Sequence, residues 1–146
     1  MHDLIIVGAG PAGLTAAIYS ARYTLNTLVI GGSPGGQVAE SGRIENYPGF
    51  KKISGLDLTK RMLEQVDSFQ VQVKRAEVSK IEKESDKFTV FANGDSYESK
   101  AVLLALGVKP RKLGVPGEEK LLGKGVSYCA LCDAPLFKDK TVAMVG

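Results

Sequence analysis

Two short groups of residues in this chain are of types and spacings that do chemistry. Gly8, Gly10 and Gly13 form a G-x-G-x-x-G run. Each glycine has its own reason. Gly8 permits a tight turn, Gly10 lets the backbone approach a pyrophosphate, and Gly13 lets a following helix pack close to its strand. A helix starting there offers unpaired N–H groups and a partial positive charge to the phosphates. Pro11 suits the first helical position because it lacks a donor that would be unpaired anyway. The second group is Cys129-Ala130-Leu131-Cys132, followed directly by Asp133. If a helix starts there, the spacing places both sulfurs on one face, and the first thiol is activated by the helix N-terminus and its neighbour. A carboxyl group beside a dithiol can deliver or accept the proton that accompanies thiolate release.

Each group has a plainer reading. The glycines could be a turn with no ligand, but a strand before and a helix after them favour a dinucleotide. A zinc site at the cysteines would need two further ligands at sensible spacing. The only histidine is His2, so neither zinc nor a mid-chain imidazole fits. Buried structural cysteines remain open beside a redox pair. The adenosine end of the loop is less defined. An acidic residue usually ends the second strand, about 20 residues on, to bind a ribose hydroxyl. Here Ile30 is followed by Gly31-Gly32-Ser33-Pro34, which weakens an NAD reading.

The elements that must position these groups are legible. Asp3–Val7 is a buried strand, Leu14–Tyr23 an alanine-rich helix and Thr27–Ile30 a second buried strand, together a βαβ unit. Gly31–Phe50 is rich in Gly, Ser and Pro; so long an irregular stretch is usually functional. Ser54–Ser68 has apolar residues at helical spacing, with Ser54 as N-cap. Gln70–Lys83, Lys87–Ala92 and Ser96–Ser99 read as strands, with Asn93-Gly94 as a hairpin turn. Ala101–Leu106 reads as another buried strand closed by Gly107, residues 108–125 as a linker, and Thr141–Gly146 as the start of a new strand. The fold class expected is α/β: a Rossmann-like domain with an inserted β-hairpin or meander over residues 1–112, then the start of a second such domain over 113–146.

The chain has 146 residues, 44% of them apolar, which is enough for a core without staples. Its formal charge of +3 is small and interspersed, so nucleic acid is not expected as a partner. No apolar run approaches the length of a membrane helix. Asp3–Val7 follows Met1 almost at once, with no basic leader, so a cytoplasmic location is expected. In that compartment a C-x-x-C pair is more often catalytic or metal-binding than structural.

In order along the chain, Val7-Gly8-Ala9-Gly10-Pro11-Ala12-Gly13-Leu14, Gly35-Gly36-Gln37, Glu45-Asn46-Tyr47-Pro48-Gly49-Phe50 and Cys129-Ala130-Leu131-Cys132-Asp133 resemble the low-molecular-weight thioredoxin reductases, flavoproteins of the pyridine nucleotide-disulfide oxidoreductases. The likeness spans the whole chain. The first motif is shared by many dinucleotide proteins; the last two, together and in order, are specific. The resemblance implies electron transfer from NADPH to FAD, to the dithiol, and then to thioredoxin or a similar small disulfide protein, in a homodimer when full length. It places the FAD pyrophosphate at Gly8, Gly10, Pro11, Ala12 and Gly13, and wraps the nucleotide with Gly31, Gly32, Gly35, Gly36, Gln37 and Val38. Gln37 and Asn46 would lie on the flavin side, the Val78 backbone near the adenine, and Gly107 in the cofactor-binding set. Cys132 would face the flavin, Cys129 would attack the substrate disulfide, and Asp133 would serve proton transfer.

The chain departs from the pattern in two ways. Ala105-Leu106-Gly107 stands where the family commonly has Ala-Thr-Gly, which removes a hydroxyl. Family members also continue through a second glycine loop for NADPH, whereas this chain stops at Gly146, so the 146 residues alone are expected to be inactive. Runner-up readings are a peroxiredoxin-reductase flavoprotein, a ferredoxin-linked flavin thioredoxin reductase and, in another class, a non-catalytic flavin-binding fragment.

Overall fold

The structure, a computed structural model, describes residues 1–146 apart from the side chains of Leu131 and Cys132. The chain divides into two units, Met1–Gly107 and Val108–Gly146.

The first unit is built on a six-stranded sheet of order β3-β2-β1-β6-β5-β4. Strands β1 (His2–Val7), β2 (Thr27–Ile30) and β3 (Gln72–Lys74) run parallel. Strands β4 (Val78–Glu84), β5 (Lys87–Ala92) and β6 (Asp95–Leu104) form an antiparallel meander. β1 and β2 carry apolar residues at consecutive positions because both faces of the sheet are covered. Ile6 and Val29 point to the side where α1 (Pro11–Arg22) and α3 (Gly55–Ser68) bring Leu14, Ala17 and Val66. Ile5, Val7, Leu28 and Ile30 point to the other side and pack on Val90 and Ala92 of the meander. The expected α/β architecture with an inserted meander is therefore present.

Local signals set the element ends. The Ser54 side chain accepts the Asp57 N–H at 3.1 Å and caps α3, and Asp57 adds a negative charge to its first turn. Asn93 and Gly94 both have positive φ, 49° and 88°, as a type I′ hairpin turn requires.

Four expectations are corrected. Gln70–Lys83 is not one strand: β3 ends at Lys74, the chain crosses at the buried Ala76, and β4 begins at Val78. Ser96–Ser99 and Ala101–Leu106 are not two strands but the single β6. Ser99 pairs with Phe88 of β5 and with His2 of β1, so β6 leaves one neighbour and joins the other without breaking. The end of β6 is not buried either. Leu104 is 60% exposed, because α1 and α3 cluster with β1 and β2 on the other side of the parallel layer. Thr141–Gly146 has no regular structure; among the described residues no strand pairs with it to satisfy its N–H and C=O groups. Within Gly31–Phe50 a single helical turn, α2 (Gly36–Ala39), also forms. Among the described residues, no helix is long and apolar enough to cross a membrane.

Candidate functional site

The first-unit site is a cradle of two glycine segments. β1 delivers the chain to Gly8, whose φ of +115° is left-handed and whose N–H donates to Ile30 O at 2.8 Å. A Cβ on Gly8 would lie 2.7 Å from the Ala105 carbonyl carbon, and one on Gly13 would press on the Gly8 carbonyl group, 3.0 Å from its carbon. Gly8 and Gly13 are thus closed to any side chain, whereas a Cβ on Gly10 would meet nothing within 4 Å. The open side of the turn is therefore at Gly10, which is the N-cap of α1 and offers no side-chain cap. With Pro11 at the first position and no capping side chain, the N–H groups of Ala12 and Gly13 belong to the unpaired first turn of α1 beside that opening.

The second segment lies against the first. Gly35 N–H donates to Ala9 O at 2.7 Å, and Gly31 N–H donates to Lys74 O at 3.0 Å. A Cβ on Gly31 would come within 2.6 Å of Ala9 N, and one on Gly36 would come 3.6 Å from Gly10 Cα. Gly35, with φ +87°, begins α2 and abuts Thr59 of α3. The Thr59 hydroxyl is buried and has no hydrogen-bond partner among the described residues. Gln37 and Val38 follow in α2, which α3 meets at Gly55 beneath the Val38 carbonyl. A Cβ on Gly32 would fall 2.6 Å from Glu77 Cδ and closer still to its Oε1. The Glu77 carboxylate thus lies against the backbone at the end of β2.

The remaining predicted positions of this unit are placed as follows. Asn46 is exposed in an excursion closed at its base by the Ile44–Ile53 pair, with hydrogen bonds of 2.8 and 3.0 Å. Arg61 of α3 stacks over the Phe50 ring of that excursion, 5.3 Å from its centroid. Val78 opens β4 with its side chain against the core, so its backbone is what a ligand could meet. Gly107 is exposed, with φ +66°, and ends the unit. Leu106 is 67% exposed.

In the second unit, Cys129 is half-buried and disulfide-bonded. Asp133 N–H donates to Cys129 O at 3.0 Å, closing a single helical turn at Ala130–Asp133, which runs on as a 3₁₀ turn over Ala134–Phe137. A helix does start at the dithiol, as a single turn. Ser127 Oγ accepts the Cys129 N–H at 3.0 Å. The Cys132 side chain lies outside the described residues.

Spacing did not point to Glu118, yet it organises the segment before Cys129. Its carboxylate is buried and accepts N–H groups from Leu113 at 2.9 Å, Gly114 at 2.7 Å and Val115 at 3.3 Å, as well as the Tyr128 hydroxyl. The Tyr128 hydrogen bond first, then the backbone donors, hold the carboxyl below the usual carboxylate range. The same bond pushes Tyr128 up to about 12. Glu118 therefore contributes order above its ordinary pKa of about 4.3 and loses it as pH falls through the lower folded value. Tyr128 contributes below its ordinary value of about 10 and loses it as pH rises toward 12. We expect protection from amide exchange at Leu113, Gly114 and Val115, taken relative to the unstructured-chain rate at each pH, to be high between these limits and to fall on acidification. Glu118→Gln should remove the acid-side transition; an unchanged profile would take the carboxylate out of the account.

The chain spans about half the length of the curated relatives it matches. It is 44% identical to the thioredoxin reductase of Bacillus subtilis (strain 168) over 147 residues, covering 100% of this chain and 46% of that protein. It is 45% identical to the thioredoxin reductase of Mycoplasma genitalium over 148 residues, covering 100% and 47%. Among solved structures it superposes on a thioredoxin reductase from Streptococcus pyogenes with a TM-score of 0.84 and 48% identity, covering 95% of this chain and 46% of that one. A ferredoxin-flavin thioredoxin reductase from Clostridium acetobutylicum gives 0.68 and 37%, covering 94% and 48%. The family model for pyridine nucleotide-disulphide oxidoreductases matches residues 2–146, and the chain belongs to that family.

Proposed function

We propose that this chain is the N-terminal part of a flavin-dependent thioredoxin reductase, with residues 1–112 as the FAD-binding segment. Residues 113–146 would carry the linker, the redox dithiol and the entry to an NADPH domain. The observation that carries the reading is the paired glycine cradle, closed at Gly8 and Gly13 and open at Gly10, on a chain that also holds the C-x-x-C-D run. Its backbone fits a pyrophosphate: the donors are local N–H groups, and the two positions that would obstruct a tight turn have no side chain. Gly8, Gly10, Pro11, Ala12 and Gly13 would hold the phosphates, with Gly31, Gly32, Gly35, Gly36 and Val38 around the nucleotide. Gln37 and Asn46 would lie toward the ring system, Val78 and Gly107 along the rest of the cofactor.

Bound there, FAD would supply two electrons at a time. The protein's own part is thiol–disulfide exchange. The Cys129 thiolate attacks one sulfur of the substrate disulfide, forming a mixed disulfide and releasing the other sulfur as a thiolate. Cys132 then attacks Cys129 Sγ, closing the Cys129–Cys132 bond and releasing the second substrate thiolate. Asp133 would supply or take the protons. Thioredoxin or a similar small disulfide protein is the partner, a homodimer the working assembly and the cytoplasm the compartment.

The test uses the full-length protein: bound flavin by absorbance, then NADPH oxidation coupled to thioredoxin disulfide. We expect one flavin per chain and turnover, and none from the 146 residues alone. Turnover with reduced ferredoxin but not NADPH would move the protein to the ferredoxin-linked class, to which it is also similar. A flavin-free protein would overturn the reading.

A further inference from the structure

In a loop of this kind the carboxylate that accepts the adenosine ribose hydroxyls ordinarily stands at the end of the second strand. This chain has Gly31 and Gly32 there, and the geometry explains why Gly31 cannot be replaced. A Cβ on Gly31 would come within 2.6 Å of Ala9 N and 2.9 Å of Ala9 Cβ, so any acid at that position would push the two glycine segments apart. The next residue, Gly32, has its side-chain space filled by a carboxylate from elsewhere: Glu77 Oε1 and Cδ lie where a side chain would begin. Glu77 sits in the crossing between β3 and β4. Its backbone is held from three sides: Ala76 is 3% exposed in the core, Val78 packs on the same cluster, and the Glu77 N–H donates to Asn93 Oδ1 of the hairpin turn at 3.1 Å. Gly31, which ends β2, is tied to the same crossing strand by its bond to Lys74 O.

We propose that Glu77 is the ribose-binding acid of this site, delivered from the β3–β4 crossing to the end of β2, where Gly32 makes room for it. The proposal rests on the reading of the cradle as an FAD site. A carboxylate there accepts hydrogen bonds from the adenosine ribose of FAD and does not touch the flavin. It sets cofactor affinity and leaves the reacting atoms alone. Glu77 is exposed and belongs to neither core cluster, so its replacement is expected to leave the fold intact.

The experiment measures FAD binding to the apo form of the full-length protein by quenching of flavin fluorescence. Three proteins are compared: wild type, Glu77→Gln and Glu77→Ala. Each is titrated with FAD and with an FAD analogue lacking the adenosine ribose hydroxyls. A hydrogen bond to a charged acceptor corresponds to roughly a 10- to 100-fold change in affinity. We expect Glu77→Ala to weaken FAD by that factor and Glu77→Gln by less. The analogue should bind all three proteins equally, with the weakened affinity. Equal FAD affinity in wild type and Glu77→Ala would overturn the assignment while leaving the FAD reading standing. A loss that persists with the analogue would also overturn it, since Glu77 would then act by shaping the loop. Failure of the wild-type protein to bind FAD at all would overturn the FAD reading and this assignment with it.

Discussion

Serine in place of either Cys129 or Cys132 in the full-length protein is expected to reduce thioredoxin-disulfide turnover to the uncatalysed level while flavin stays bound. The thiolate is the nucleophile of exchange, and a free cysteine thiol has a pKa near 8.5. A serine hydroxyl ionises far less readily, so neither bond of the exchange can form. The two variants should differ in what they accumulate. Cys132→Ser keeps the attacking Cys129 and lacks the sulfur that resolves it, so it should trap a mixed disulfide with thioredoxin, visible as added mass that reductant removes. Cys129→Ser should trap none. Reversed trapping would exchange the two roles, and turnover in both variants would remove the dithiol from the mechanism. Asp133→Asn, next to the pair, should slow turnover roughly 100- to 10,000-fold, the usual value of a placed proton-transfer group, without loss of flavin.

Gly13→Ala in the full-length protein is expected to lose the flavin proposed for this loop. The added methyl would meet the Gly8 carbonyl group, 3.0 Å from its carbon. The carbonyl is backbone and a Cβ has no torsion to turn about, so neither can swing aside. Overpacking of this sort costs about 1–3 kcal/mol. The strain falls on the turn proposed to hold the phosphates, so flavin affinity should fall roughly 10- to 100-fold, on top of a lowered melting temperature. Gly42→Ala is the control: a Cβ there meets nothing within 4 Å and the φ is not left-handed, so both stability and flavin content should match wild type. If Gly13→Ala retains stoichiometric flavin and wild-type stability, the close packing of α1 on the turn is not what holds the cofactor loop in shape.

These two expectations draw on different kinds of information. The glycine run, the C-x-x-C-D run, the Ser54 cap and the Asn93-Gly94 turn were all legible in the sequence. Each depends on residues within a few positions of one another: a φ that only certain residues adopt, a side chain reaching a nearby N–H, apolar residues recurring with one period. Thr27–Ile30 and Lys87–Ala92 could be bounded to the residue for the same reason.

Contacts between distant parts of the chain were not legible. Periodicity showed two strands around Lys100, but Ser99 can serve both β5 and β1, so one strand results. The apolar run Leu103-Leu104 read as buried, yet burial depends on what lies over the strand, and α1 and α3 gather over β1 and β2. The missing acid after Ile30 looked like a gap in the motif. Only the fold brings Glu77 across 45 residues of sequence to fill the space beside Gly32 (77 − 32). Glu118, one acid among 16 Asp and Glu, became distinct only once its carboxylate was seen gathering three backbone N–H groups and Tyr128. Sequence by itself therefore determined which residue types could do chemistry and the local turns that present them. Tertiary structure decided which distant side chains complete those turns, because a carboxylate's role is set by the donors around it and not by its neighbours in sequence.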